Sequence, residues 1–187
     1  MNDKFLIYIR ILYRQERNIH GFIYEEKIIK KYNMIKSSNY LSKFDAYYNK
    51  IPVQIKCIKR NGAVELGSYI RNKNIKENFI LIIGFWENNK TNITSESFLF
   101  IDYLKYKQNF EFEYDEEMFQ EMKLITNLKI DNKRWKIFCN KYKLHWSEEN
   151  MINIRFKRDN KTQKRIQCAI PNKNLKKFID TFKEIEL

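Results

Sequence analysis

Glycine and proline are scarce in this chain of 187 residues, which holds four of the first and two of the second. That scarcity excludes the linker-like and collagenous compositions those residues dominate. It also leaves no Gly-rich loop of the kind that cradles phosphates. Histidine occurs twice and cysteine three times. Cys57, Cys139 and Cys168 are far apart and odd in number, and His20 and His145 complete no zinc spacing with them. No convincing Ser-His-Asp set is present. Cys57 and Cys168 fall on apolar strand faces, which predicts buried free thiols in a reducing cytosol. Long apolar runs are missing as well. The segment 1–17 is apolar in patches but is broken by Arg10 and Arg14, too short and too charged for a membrane span or a secretory signal. The expectation is a soluble, cytoplasmic protein with no membrane partner.

Aromatic residues make up 16% of the chain, enough to fill a real core, and the length suits one domain spanning 1–187. Lys and Arg total 36 against 23 Asp and Glu, a net charge of +13. A basic excess of this size favours a polyanionic partner, and nucleic acid is the obvious one. Abundant Lys, Asn and Ile also fit an AT-rich gene, so part of the excess fits a solvated surface equally well.

Periodicity predicts helices over 3–17, 22–34, 115–128, 131–142 and 172–185 and strands over 44–48, 51–58, 79–86 and 98–102. In the 22–34 helix, Phe22, Ile28, Ile29 and Tyr32 form the apolar stripe. The run FILIIGFW at 79–86 is apolar on both faces and reads as a central strand. Trp135, Phe138, Cys139 and Tyr142 share one helical face. Asn61-Gly62 marks a turn, and 65–72 reads as a short helix or an irregular loop. A hairpin of 152–158 and 163–170, followed by the last helix, closes the chain. The fold class is α/β or α+β, with a mixed central sheet flanked by helices.

The segment FDAYYNKIPVQIK, 44–56, carries the chemistry. With Asn49-Lys50 as a two-residue turn, Tyr48 faces Ile51, Ala46 faces Val53 and Asp45 faces Gln54. Gln54 and Lys56 then share one face, with Asp45 close by. Val53, Ile55 and Cys57 point to the core. One carboxylate, one amide oxygen and one ammonium suit a divalent cation such as Mg2+ and an attacking water. Asp45 would anchor the ion, the Gln54 carbonyl would be a second, neutral ligand, and Lys56 would hold the water or stabilise charge in the transition state. On the 22–34 helix Glu25 points partly inward and is a further candidate ligand, with Glu26 as the alternative.

This arrangement resembles the PD-(D/E)XK nuclease superfamily, which includes many type II restriction endonucleases and Holliday-junction resolvases. Gly21-Phe22-Ile23-Tyr24-Glu25 resembles the Gly-led helix with its Glu, Asp45 the strand Asp, Gln54 the middle acid and Lys56 the Lys. Val64-Glu65-Leu66-Gly67-Ser68 through Arg71, with the strand after it, resembles the stretch beyond the Lys in some restriction enzymes. The resemblance covers about 18–86. Two positions depart from the pattern. Phe44 precedes Asp45 where the family has Pro, and Gln54 replaces an acid, which removes a negative charge that Glu25 would partly restore. The resemblance implies a restriction-endonuclease-like fold and a homodimer that cuts both strands of double-stranded DNA at a specific site. A junction resolvase, a homing endonuclease, or a DNA-binding module whose site has decayed are the alternatives.

The second hairpin alternates too. Ile152, Ile154, Phe156, Ile166, Cys168 and Ile170 face inward, while Asn153, Arg155, Lys157, Arg165, Gln167 and Ala169 face outward, with Asn160-Lys161-Thr162 as the loop. A two-stranded ribbon of this kind can enter a major groove, where Arg reads guanine and Gln adenine. A solvated sheet face accounts for the same pattern. Lys173, Lys176 and Lys177 would contact phosphates, and Arg71 joins the DNA-binding candidates. Asp102 is read as an edge acid and 115–117 as acids at a helix N-terminus. Trp135 and Trp146 are read as core.

Overall fold

The computed structural model describes residues 19–38, 43–90, 92–127, 132–146, 150–158 and 164–187. The helix expected over 3–17 and the loop at Asn160-Lys161-Thr162 lie outside the described residues. The described residues fall into two compact units. The first takes those up to Gly62 with 78–101 and 183–187, and the second takes 63–77 and those from Asp102 to Phe182.

In the first unit, α1 (Ile19–Lys31) precedes the short strand β1 (Ile35–Lys36). Then come β2 (Ala46–Tyr48), β3 (Ile51–Lys59), β5 (Phe79–Trp86), β6 (Ile93–Ile101) and β9 (Lys183–Glu184). They form one sheet in the order β1-β2-β3-β5-β6-β9. Only β3 and β5 run parallel among its pairs, so the sheet is mixed. A parallel pair needs a long crossover, and segment 63–77 of the second unit lies within it. β5 sits between β3 and β6 and is buried from Phe79 through Phe85, as its two-faced apolarity predicts.

The β2–β3 hairpin has the expected register, with Ala46 opposite Val53 and Tyr48 opposite Ile51. Asn49 and Lys50 both take positive φ, 48° and 68°, the backbone of a two-residue turn whose twist matches the strands. Tyr24, Ile28 and Ile29 of α1 pack with Val53, Ile55, Ile80 and Ile82, which places α1 on the odd-numbered face of β3. Burying a side chain such as Ile28 contributes roughly 1.5–3 kcal/mol. One member of the expected stripe is displaced. Phe22 is 55% exposed and Tyr24, at 3%, takes its place. Phe22 lies in the first turn of α1, where a pocket opens beside the helix.

The second unit holds β4 (Val64–Ser68), α2 (Tyr69–Lys73) and α3 (Tyr103–Lys107), which runs into a 3-10 turn at Gln108–Phe110. It continues with α4 (Asp115–Asn127), α5 (Asn132–His145), β7 (Asn153–Arg158), β8 (Lys164–Ile170) and α6 (Asn172–Thr181). The C-terminal hairpin is not a free two-stranded ribbon, because β4 adds to it in the order β4-β8-β7. A bulge breaks the β4 register between Glu65 and Gly67. Gly67 there has φ +87°, which only glycine adopts without strain. Ile154 opposes Cys168 and Phe156 opposes Ile166, as the alternation predicts. Trp135 and Phe138 of α5 meet Phe156 edge-on. Trp135, Phe138, Cys139, Tyr142 and Trp146 are all buried.

Three further expectations are corrected. The last helix stops at Thr181, and Lys183–Glu184 pair with β6 instead of continuing it. Ala169, expected outward, is fully buried, since its small side chain sits on the middle strand between Glu65 and Asn153. Cys57, expected buried, is only partly so. Asp102 is the N-cap of α3, its carboxylate accepting from Lys105 N–H at 2.9 Å. Among the described residues, no helix is long and apolar enough to cross a membrane.

Candidate active site

The pairing of β2 with β3 ends at Ala46–Val53. One residue further, Asp45 N–H still donates to Val53 C=O at 2.9 Å. β3 continues past this point, so the Ile55 N–H, pointing to the same side as Val53, meets no strand. The Asp45 carboxylate takes it, with Oδ2 accepting from Ile55 N–H at 2.7 Å. The same oxygen lies 3.8 Å from Lys56 Nζ. Strand termination thus places an acid at the open edge of β3, and its backbone bond fixes the carboxylate in register with Lys56.

α1 supplies the other wall. His20, Gly21, Phe22 and Glu25 line an open pocket of about 290 Å3 together with Asp45, Ile55, Lys56 and Cys57. Glu25 follows Tyr24, the aromatic anchor of α1 in the core, and so stands at the edge of the buried stripe. Its carboxyl is held above the usual Glu range, first by burial and then by the Asp45 carboxylate, with Lys36 and Lys56 opposing. Glu26 is exposed and forms an ion pair with Lys36 outside this pocket. Between the two glutamates, Glu25 is the one the fold turns toward Asp45 and Lys56. Cys57, whose thiol is pushed up to about 11 by burial, also lines the pocket.

Gln54 does not line this pocket. It shares the even-numbered face of β3 with Lys56, is 7% exposed, and its Oε1 is sealed without a hydrogen-bond partner among the described residues. A buried carbonyl in that state costs stability unless something coordinates it. Among the described residues no group of three His, Cys, Asp or Glu side chains is gathered to hold a metal ion. The hard oxygen donors at hand are the carboxylates of Asp45 and Glu25, with the orphan Gln54 carbonyl on the neighbouring strand position. That set suits Mg2+, which takes one or two carboxylates and keeps several waters.

The DNA-binding candidates all fall in the second unit, whereas Glu25, Asp45, Gln54 and Lys56 fall in the first. Arg155 opposes Gln167 on β8, and Gln167 opposes Ser68 on β4. Arg155 is not free, because it pairs with Glu65 of the third strand. Arg71 and Lys173 are exposed and Gln167 is partly buried. The side chains of Lys157 and Arg165 lie outside the described residues.

His20, Phe22 and Cys57 are pocket residues that the motif alone does not reveal. The available signal was their position, in the turn before Glu25 and directly after Lys56. Comparison with protein-family models, with characterised proteins and with solved structures finds no match to this chain.

Proposed function

We propose that this chain is a magnesium-dependent endonuclease of the PD-(D/E)XK kind, acting on double-stranded DNA as a type II restriction enzyme does. The observation that carries this reading is the meeting of Glu25, Asp45 and Lys56 in one pocket, with Asp45 locked to the β3 backbone. Asp45 and Glu25 would hold the ion, with the Gln54 carbonyl in reserve. When bound, the ion supplies polarisation of the phosphoryl group and a more acidic water. Lys56 lies close enough to Asp45 for both to contact one solvent molecule. Its ammonium orients the attacking water and offsets the negative charge that builds on the phosphoryl oxygens. The water oxygen forms the new bond to phosphorus as the bond to the leaving sugar oxygen breaks. A homodimer, cutting both strands, is part of the same proposal.

Gln54 in the place of an acid favours one competing reading, a DNA-binding module without turnover. Incubation of the protein with long unmethylated linear DNA, with Mg2+ or with chelator and beside Lys56→Ala, separates the two. Discrete Mg2+-dependent fragments, absent for Lys56→Ala, support the endonuclease. Salt-sensitive binding without cleavage supports the module. Preferential cutting of a four-way junction over linear duplex would move the assignment to a resolvase.

A further inference from the structure

His20 lines the same pocket as Glu25, Asp45 and Lys56. Its ring meets the Trp86 indole edge-on, with centroids 6.1 Å apart at 82°. Both rings carry a sealed polar atom without a partner, Nδ1 of His20 and Nε1 of Trp86. An indole Nε1 is always a donor, whereas an imidazole nitrogen without its proton is an acceptor. Two orphans of opposite kind on adjoining rings complement each other. A small rotation that brings the two into a direct N–H···N bond satisfies both only if Nδ1 is unprotonated. The proton of the neutral ring then sits on Nε2. Of the two ring nitrogens, only Nδ1 is both sealed and unpartnered among the described residues, which leaves Nε2 as the nitrogen available to the pocket. Burial, and then Lys90, hold the imidazole below its ordinary pKa, so the neutral form prevails near neutrality.

The pocket has a shortage that this donor meets. A phosphodiester brings negative charge to a wall that already holds two carboxylates, and Lys56 is partly occupied by Asp45. We propose that His20 is a substrate-binding residue of the site, whose neutral Nε2–H donates to a non-bridging oxygen of a nucleic-acid phosphate, with Trp86 fixing the tautomer from behind. This rests on the reading that the pocket takes nucleic acid. It adds a residue that touches the phosphate without adding charge.

The test uses full-length protein with 15N-labelled imidazoles, and long-range proton–nitrogen correlation at neutral pH. The chain has two histidines, so a His145→Gln variant assigns the His20 signals. The expected result is an unprotonated Nδ1 and a protonated Nε2, with the Nε2 signal moving when a short duplex is added in chelator. In the same buffer, His20→Ala should weaken duplex binding roughly tenfold or more, and His20→Gln, which keeps an N–H donor, should recover part of the loss. Trp86→Phe should mix the tautomers. A proton on Nδ1, or an Nε2 signal that ignores DNA, overturns the inference even if the variants fold poorly. Mg2+-dependent cleavage by the unaltered protein decides the nuclease reading separately. Cleavage with an unmoved His20 signal retains the nuclease and removes His20 from it. A moved signal without cleavage does the reverse.

Discussion

Gly84→Ala tests how α1 is seated on the sheet, and so how Glu25 reaches the site. Gly84 lies on β5 between Cys57 of β3 and Glu96 of β6. A Cβ built there would stand 2.4 Å from Cζ of Tyr24 and 2.7 Å from both its Cε1 and its hydroxyl oxygen. These are overlaps, not tight contacts, and the ring cannot swing freely, because Tyr24 is 3% exposed and donates to Glu96 Oε1 at 3.1 Å. Forcing a methyl into such a position costs about 1–3 kcal/mol. Loss of the hydroxyl bond adds about 0.5–1.5 kcal/mol. The sum, about 1.5–4.5 kcal/mol, corresponds to a fall in Tm of roughly 3–18 °C for a chain of this size. Thermal unfolding followed by circular dichroism measures it.

A double-mutant cycle isolates the cause. Tyr24→Leu shortens the side chain over Gly84 and should cost stability alone. Combined with Gly84→Ala it should recover about 1–2 kcal/mol relative to the sum of the single losses, since the two positions share one volume. Glu25 is the next residue along α1, so Gly84→Ala should also impair cleavage at temperatures where the variant remains folded. An unchanged Tm for Gly84→Ala, or strictly additive losses, would refute the proposed packing of Tyr24 on the bare backbone of β5.

Four further outcomes are expected. Asp45→Asn keeps an oxygen for the Ile55 N–H and should leave Tm nearly unchanged while abolishing Mg2+-dependent cleavage, whereas Asp45→Ala should in addition cost about 1 kcal/mol in thermal unfolding. Gln54→Met removes a buried carbonyl without a partner and should raise stability in chelator by about 1 kcal/mol, and on the proposed metal site it should reduce the Tm gain expected of the unaltered protein in Mg2+. The folded-state pKa of Glu25 is raised, so its charge opposes folding above that pKa and the penalty fades as pH falls toward and below the ordinary Glu value. Glu25→Gln should therefore raise Tm near neutral pH by a margin that vanishes in acid, measured by unfolding across pH. Glu65→Gln releases Arg155 from its ion pair and should tighten DNA binding and steepen the salt dependence by about one unit of slope if Arg155 contacts a phosphate.

The hairpin at 44–56 was legible because its determinants are local. A two-residue turn fixes the register, and alternation assigns the faces, so Ala46–Val53 and the inward set emerge without reference to the rest of the chain. β5 was legible for its unbroken apolar run. The elements that escaped were set by distant partners. β4 has its alternation interrupted at Gly67, and its partner β8 is recruited from the far end of the chain. β9 is two charged residues that pair with β6, and β6 itself begins at Ile93 and runs through the polar stretch Thr94–Glu96, where pattern gives no strand. In the site, Glu25 and Glu26 are adjacent on one helix; the apolar stripe favours Glu25, and the packing of Tyr24, Ile28 and Ile29 on the sheet sets it in the pocket with Asp45. His20 and Phe22 escaped for a similar reason, since an imidazole and an apolar ring near a helix start have no chemistry until the pocket beside them is visible.

The placement of Asp45 shows how a fold of this kind makes a reactive edge without an elaborate loop. A strand that ends early leaves its neighbour with an unpaired N–H, and a buried or half-buried donor of that sort demands an acceptor. A neutral acceptor would satisfy it and leave an inert edge. An aspartate satisfies it with one oxygen, which also lies 3.8 Å from the Lys56 ammonium, and keeps its second oxygen for the pocket, which it shares with a second carboxyl whose ionisation it opposes. The hydrogen bond holds the group where charge repulsion would otherwise move it. Gln54 takes the opposite course one strand position away, where an uncharged amide tolerates burial that a carboxylate would not without a cation. An uncharged Gln at that position is thus compatible with a stable fold in the absence of metal. It also leaves Asp45 and Glu25 to supply the negative charge that a cation in this pocket would meet.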